Sequence, residues 1–216
     1  MDFLLRAHKK EEISFRVEYI SELKSIDPQN GVLYIEKLRH LDYRENNIED
    51  GIKEIIAGDI INYHSEDEMA NKCFFYIIKY DAAANTIEFH SDYQSFLPIY
   101  YYKDENYYLI SSSVDIIFTL LQELEINQDF ITEISLLNAP FQDNCFFKKI
   151  KRLNYGCFLK IDNNGLKEIR TKRFYDYYSE NPIPYKKALN RVVESFIDNC
   201  SKYFTEPAYV SLTGGF

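Results

Sequence analysis

The chain has 216 residues, of which 46% are hydrophobic and 16% are aromatic, with 19 Tyr, 16 Phe and no Trp. This composition is typical of a packed globular protein and excludes a disordered chain, and the length allows one large domain or one domain plus the start of another. The 25 Lys and Arg stand against 34 Asp and Glu, and the formal charge of −9 opposes long-range attraction to nucleic acid or to an anionic membrane. Nucleic acid is therefore not an expected partner.

The sequence contains no apolar run near the roughly 18 residues that a bilayer-spanning helix needs. Charged residues follow Met1 to Leu5 at once, so the chain does not begin with the apolar segment of a secretory signal. We therefore predict a cytoplasmic protein with no membrane partner.

The cysteines and histidines form no recognisable metal or disulfide motif. The four cysteines are far apart and lack a C-x-x-C pair, which predicts buried free thiols: Cys73, Cys145, Cys157 and Cys200. The four histidines lack the i, i+4 spacing of ligands on one helix: His8, His40, His64 and His90. We predict no metal site from these residues.

The first half of the chain is mostly predicted strand. Period-two or compact apolar runs between turn signals predict strands over residues 13–20, 31–35, 73–80, 86–91, 99–102 and 107–111. The later strands form an antiparallel meander that is apolar on both faces, which indicates a sheet covered on both sides. Between the two groups, Ile48, Ile52, Ile55 and Ile56 recur at helical spacing and predict a short helix that ends near Gly58.

The second half alternates between predicted helices and strands. Apolar periodicity predicts helices over 114–124 and 129–138, and strand character at 156–161 leads through a turn at 162–165 into a hairpin. Residues 181–184 read as a linker, after which Pro184 opens an amphipathic helix. A second domain is predicted to begin there.

Basic residues gather in two short runs, but such runs are usually a solvated face. The first run is Lys148, Lys149, Lys151 and Arg152, and the second is Lys167, Arg170, Lys172 and Arg173. A functional role for either run is the open alternative.

The last residues read as a buried strand over 208–212 followed by Thr213, Gly214 and Gly215. A hydroxyl residue and paired glycines after a strand expose backbone N–H groups, which can cradle a phosphate when a helix follows. Plain turn formation is the alternative reading of the same residues.

In combination, three stretches resemble the asparagine synthetase family. Residues 75–81 and 91–102 are similar to the family's "FAFVIYD" and "RDRFGIKPLYYY", and 110–113 to its "FASE". Residues 145–161 are similar to "TLFKGIRKLPPGHYLTID", and 210–216 look like the start of the pyrophosphatase loop "SGGxDS". The order and spacing of these stretches agree with the family.

The resemblance implies an α+β fold in two parts. Residues 1–178 would form a glutaminase-like, four-layer αββα sandwich of the N-terminal-nucleophile hydrolase type. Residues 179–216 would supply a linker, the first helix and the first strand of a truncated α/β PP-loop synthetase domain.

The same resemblance implies an ATP-dependent ligase that activates a carboxylate as an acyl-adenylate, releases pyrophosphate and forms an amide. ATP and Mg would be cofactors of the full-length parent, and Ser211, Thr213, Gly214 and Gly215 would contact phosphate. Because the site is incomplete, no cofactor is expected for this chain alone. The implied partners are the remainder of the synthetase domain and a substrate peptide or partner protein. Exposed strand edges and abundant tyrosine separately predict self-association with a second copy of the chain.

The departures from the family pattern concern the glutaminase. That activity needs a cysteine as the first residue after Met removal, and this chain has Asp2, so no catalytic residue is assigned and glutamine hydrolysis is predicted to be lost. Asn30-Gly31 is read as a turn rather than as part of the glutamine site. Asp92 aligns with the aspartate of the "RD" pair but follows Ser91 instead of arginine, so a loop-capping carboxylate remains an alternative.

Two further functions stay open besides a ligase fragment with an inert glutaminase-like domain. The chain could be a non-catalytic binding or scaffold module that retains the sandwich for protein or peptide interaction. It could also be a hydrolase with another nucleophile, which would require processing to expose Ser14 or Cys73.

Overall fold

The computed structural model describes residues 2–9, 16–20, 22–23, 27–36, 42–49, 52–58, 74–92, 95–121, 124–140, 143–171 and 183–203. The chain divides into two compact units, Met1–Phe174 and Tyr175–Phe216. The strands, all in the first unit, are β1 (Asp2–His8), β2 (Arg16–Ile20), β3 (Val32–Glu36), β4 (Asp42–Glu49), β5 (Ile52–Gly58), β6 (Phe75–Asp81), β7 (Thr86–Ser91), β8 (Tyr100–Lys103), β9 (Tyr107–Ser111), β10 (Ile150–Arg152), β11 (Cys157–Asp162) and β12 (Gly165–Arg170). The helices are α1 (Val114–Leu120), α2 (Gln128–Leu137) and, in the second unit, α3 (Tyr185–Tyr203).

The strands form two six-stranded sheets, so the described part of the chain is mostly β-sheet with a few helices. The first sheet has the order β10-β8-β9-β1-β3-β2, and the second has the order β12-β11-β7-β6-β5-β4. All neighbouring strands are antiparallel except β2 and β3, which are parallel. This is an α+β fold, as the sequence predicts.

The main core of the first unit combines residues from both sheets. Phe3, Leu5 and Ala7 of β1 are fully buried in it, and they alternate with Leu4 because successive strand side chains point to opposite faces. The ring of Phe3 lies 5.2 Å from that of Tyr76 and 5.5 Å from that of Phe89, both on the second sheet. Aromatic contacts therefore join the sheets where β1 begins.

The other face of the first sheet is buried as well. Leu4, Val32 and Tyr34 pack with Ile116 of α1, while Ile117 belongs to a neighbouring buried cluster with Leu109. A helix thus covers this sheet on the side away from the main core. The single meander predicted for the later strands is wrong, because β6 and β7 lie in the second sheet while β8 and β9 lie in the first. The predicted cover on both faces holds for β9, whose Ile110 lies in the main core and whose Leu109 lies in the cluster under α1.

The predicted helix around residues 48–58 is wrong. The segment forms two antiparallel strands, β4 and β5, and β5 continues the ladder to β6. Ile55 and Ala57 lie in the main core, whereas Ile56 is buried on the opposite face. A strand buried on both faces loses the period-two signal, so its isoleucines coincide with helical spacing.

Helix α1 ends at Leu120, before the predicted end at residue 124, because Leu121 is extended, and β1 was not predicted at all. Two other elements agree with the sequence. Helix α2 begins after Asn127, whose side chain accepts N–H groups from Asp129 and Phe130, and ends at Asn138 with a φ of 53°. The predicted hairpin is β11–β12, where Gly165 has a φ of 101°. A Cβ on Gly165 would lie 2.6 Å from the Tyr108 hydroxyl, so a glycine is also required by the close approach of the two sheets.

A row of alternating charges crosses the second sheet on the face away from the main core. Glu54 pairs across strands with Lys79, Lys79 with Glu88, and Glu88 with Lys160. The Lys160 Nζ lies 2.8 Å from Glu88 Oε1, and the His90 Nε2 lies 3.2 Å from Glu88 Oε2. The hydrogen bond from His90 is the largest cause that lowers the pKa of Glu88 to about 2, and Lys160 lowers it further while burial opposes the shift.

This ion pairing predicts a pH dependence of stability. The Glu88 pKa is depressed on folding from 4.5 to about 2, so its stabilising contribution is complete above the unfolded value and is lost as pH falls from about 4.5 to about 2. Urea midpoints measured between pH 6 and pH 2 should therefore fall less in Glu88→Gln than in the original chain. Parallel curves for the two proteins would contradict this assignment.

The second unit is described by α3 alone. Its first turn is anchored by the Pro184 carbonyl, which accepts the N–H groups of Lys187 and Ala188 at 2.9 and 3.0 Å. Apolar residues recur at helical spacing along one side and are exposed: Leu189, Val192, Val193, Phe196 and Ile197. Residues 204–216, with the predicted strand 208–212, lie outside the described residues.

Candidate functional site

The start of β1 is held by two serines that follow each other at the end of β9. Ser112 Oγ accepts the N–H of Phe3 at 3.0 Å and donates to Asp2 Oδ1 at 2.9 Å. Ser111 Oγ donates to the Phe3 carbonyl at 2.7 Å and accepts the N–H of Ser113 at 3.2 Å. The Asp2 carboxylate is thus tied to a hydroxyl 110 residues away.

Tyr76 lies beside this point at the start of β6 and is 4% exposed. Its hydroxyl donates to the Pro98 carbonyl at 3.0 Å. Burial raises the pKa of Tyr76 far above its ordinary value, and the charges of Asp2 and Asp92 raise it further. The phenol therefore stays protonated and acts as a hydrogen-bond donor.

Asp92 caps a loop, which is the alternative that its sequence context left open. Its two carboxylate oxygens accept the N–H groups of Phe96 at 3.1 Å and Leu97 at 3.0 Å. Ser95, within this loop, has a φ of 50°. The 4% exposed carboxylate stabilises a turn that carries a strained residue.

Arg152 reaches the same loop from the end of β10. Its Nη2 donates to the Ser95 carbonyl at 2.6 Å, and its guanidinium lies 5.8 Å from the centre of the Tyr155 ring. The Nε atom is buried and has no hydrogen-bond partner among the described residues. Arg152 therefore departs from the solvated face expected for the first basic run.

We define the β1 cluster as Asp2, Tyr76, Asp92, Ser112 and Arg152. These residues come from three strands and two strand-ending segments, and electrostatic coupling to Tyr76 connects Asp2, Asp92 and Arg152. The cluster offers two carboxylates, a protonated phenol, a hydroxyl and a guanidinium. Hydrogen bonding within the protein engages all five groups, so the arrangement is suited to fixing backbone segments.

The two cysteine side chains that the structure describes do not supply a nucleophile. Cys145 and Cys157 are free and buried, and burial raises the pKa of both. Both are therefore neutral thiols at neutral pH, whereas attack on an amide needs the thiolate. Ser14 and Cys73 lie outside the described residues, and so does the Cys200 side chain.

Among the residues that the structure describes, no group of three or more His, Cys, Asp or Glu side chains is arranged to hold a metal ion. The predicted phosphate contacts fall outside that part of the chain: Ser211, Thr213, Gly214 and Gly215. Their role remains a prediction.

Sequence reasoning assigned no role to Tyr76, Ser112 or Arg152 in this cluster. Three consecutive serines at the end of a predicted strand, residues 111–113, were the available signal for Ser112. Tyr76 and Arg152 looked like a sheet residue and a surface charge. Their convergence depends on strand order, which the local sequence does not encode.

No family model matches the chain. A curated protein of Dictyostelium discoideum, described as "Putative uncharacterized transmembrane protein", is 26% identical over 149 residues, which is 69% of this chain. The chain spans about 2% of the length of that relative. In the helices described for this chain, none has both the length and the apolar character that crossing a bilayer requires.

A solved structure of glutamine phosphoribosylpyrophosphate amidotransferase from B. subtilis, complexed with ADP and GMP, matches with a TM-score of 0.29 and 12% identity. The match covers 60% of this chain and 30% of that protein. These similarities do not assign the chain to a family.

Proposed function

We propose that this chain is the front part of an ATP-dependent amide-forming ligase similar to asparagine synthetase, with a glutaminase-like unit that does not hydrolyse glutamine. The observation that carries the proposal is the Asp2 carboxylate at the start of β1, held by Ser112 at 2.9 Å. Glutamine hydrolysis of this type needs a cysteine thiolate at that place, assisted by a nearby base. A carboxylate that accepts a serine hydroxyl cannot take over that attack.

The remaining features fit a unit kept for its structure. In this proposal the two sheets and α1 belong to a four-layer sandwich, whose surface shields the synthetase site or docks a substrate peptide. The parent ligase would use ammonia or a substrate amine directly. Ser211, Thr213, Gly214 and Gly215 would contact phosphate of ATP, with Mg bound by residues of the parent.

The glutaminase half of the proposal is tested by incubating the purified chain with glutamine and measuring glutamate. We expect no glutamate above the protein-free control, because neither Asp2 nor the two buried thiols supplies a nucleophile. An intact glutaminase at equal concentration is the positive control. Turnover comparable to that enzyme, abolished in Ser112→Ala, would assign the reaction to Ser112 and overturn the proposal.

The ligase half is tested on the gene itself. The reading frame is expected to continue after Phe216 with an aspartate and a helix, as in the pyrophosphatase loop. The parent should then release pyrophosphate from ATP when given its acid substrate. A stop codon directly after Phe216 would instead favour the scaffold module.

A further inference from the structure

One surface of the first unit carries a continuous set of exposed and half-buried rings, which we call the aromatic face: Phe118, Phe130, Phe146 and Phe147, with Ile126. The rings of Phe118 and Phe147 stack at 5.1 Å, those of Phe147 and Phe146 meet edge-on at 5.0 Å, and those of Phe146 and Phe130 at 6.1 Å. Ile126 joins the set through a backbone bridge to Phe147. The face therefore combines α1, α2 and the segment before β10.

Three residues of the aromatic face are exposed to solvent, while Phe130 and Phe147 are half-buried and Phe147 also packs on the buried cluster of Leu109 and Ile117. Phe118 is 47% exposed, Phe146 is 41% exposed and Ile126 is 45% exposed. Helix α2 beside it has no buried residue along its whole length. Contiguous exposed apolar surface of this kind marks an interaction site more often than scattered single residues do.

Charges of both signs lie at the rim of this face, and two ion pairs join some of them. Lys148 pairs with Glu125 at 2.9 Å, and Lys151 pairs with Asp143 at 3.1 Å. The chain as a whole carries −9, so two copies repel each other over most of their surface. Where the rim charges are paired, the electrostatic repulsion of a second copy is smallest.

We propose that the aromatic face is the contact between two copies of this chain in a two-fold symmetric dimer. In such a dimer each copy contributes the same patch. A rim with charges of both signs can therefore complement itself, whereas a purely acidic or purely basic rim would repel its copy. In protein interfaces, aromatic residues at the centre usually supply most of the binding energy, and charged residues lie at the rim. This inference does not depend on the proposed ligase activity.

The dimer is tested by sedimentation velocity of the full chain across a range of concentrations. The original chain is expected to dimerise with a Kd of roughly 10 μM or tighter. Phe118→Ser and Phe146→Ser should each weaken the dimer at least about tenfold, as expected for truncated interface anchors. Higher salt should strengthen it, because screening reduces the repulsion between two acidic copies.

Ile126→Glu is a further variant for the case in which the phenylalanine variants unfold. It changes an exposed residue, and in the dimer the two introduced carboxylates would repel each other. Leu136→Ser is the matched control, because Leu136 is 77% exposed and lies over 100° around α2 from Phe130. Ile48→Ser, on the edge strand β4, is a second control. Both controls should leave the Kd within about twofold of the original chain.

Three outcomes would overturn the proposal. The first is a chain that stays monomeric at about 100 μM, which is far above the expected Kd. The second is a dimer that Ile126→Glu and the folded phenylalanine variants leave intact. The third is a dimer that Leu136→Ser or Ile48→Ser weakens equally, which would place the contact on another surface.

Discussion

Replacing Phe3 with Ala is expected to lower the free energy of unfolding by about 3–5 kcal/mol, the usual cost of truncating a fully buried phenylalanine. Phe3 is 0% exposed, and its ring contacts Tyr76 and Phe89 of the opposite sheet. The substitution removes these contacts and leaves a cavity between two sheets, where the surrounding strands cannot collapse freely. Urea unfolding followed by circular dichroism measures the change.

Phe96→Ala is the control for this measurement. Phe96 is also a phenylalanine but is 60% exposed, so its truncation should cost under about 1 kcal/mol. Similar losses in the two variants would mean that the aromatic junction does not hold the sheets together.

Replacing Asp92 with Ala should lower the free energy of unfolding by about 2–4 kcal/mol, because two backbone N–H groups lose a charged acceptor in a buried loop. The acceptors are the two oxygens of one carboxylate, bound to Phe96 and Leu97. Asp92→Asn keeps the shape and one accepting oxygen, so its loss should fall between that of Ala and that of the original chain. The same urea titration distinguishes the three proteins.

Glu105→Ala provides the baseline for the loop measurement, since Glu105 is an exposed acidic residue on another turn. It should change stability by under about 0.5 kcal/mol. An Asp92→Ala protein as stable as Glu105→Ala would show that the loop does not need its cap. The Asp92 carboxylate could then serve ligand binding instead of loop stability.

Sequence reasoning predicted those elements whose signals are local. Apolar residues at helical spacing predicted a helix over 129–138, and the structure has it as Gln128–Leu137 with Asn127 and Asn138 as its caps. The turn before Gly165 likewise identified a hairpin. Strand β5 was mistaken for a helix because Ile55 and Ile56 are buried on opposite faces, which removes the period-two signal.

The candidate site was predictable only in part. Asp2 could be singled out from its position in the sequence, and its consequence for glutamine hydrolysis stays a prediction. The loop-capping role of Asp92 was one of two readings that the sequence left open. Its hydrogen bonds to Phe96 and Leu97 now identify that cap.

The amino-acid sequence alone determined the class of the protein: an acidic, aromatic-rich globular chain whose strand, turn and cap signals build an α+β fold. These properties follow from composition and from interactions within a few residues along the chain. Only the tertiary structure decided that Asp2 meets Ser112 and that Tyr76, Asp92 and Arg152 gather beside them. Strand order brings such distant residues together, and it is set by how two sheets and a covering helix bury their apolar faces jointly.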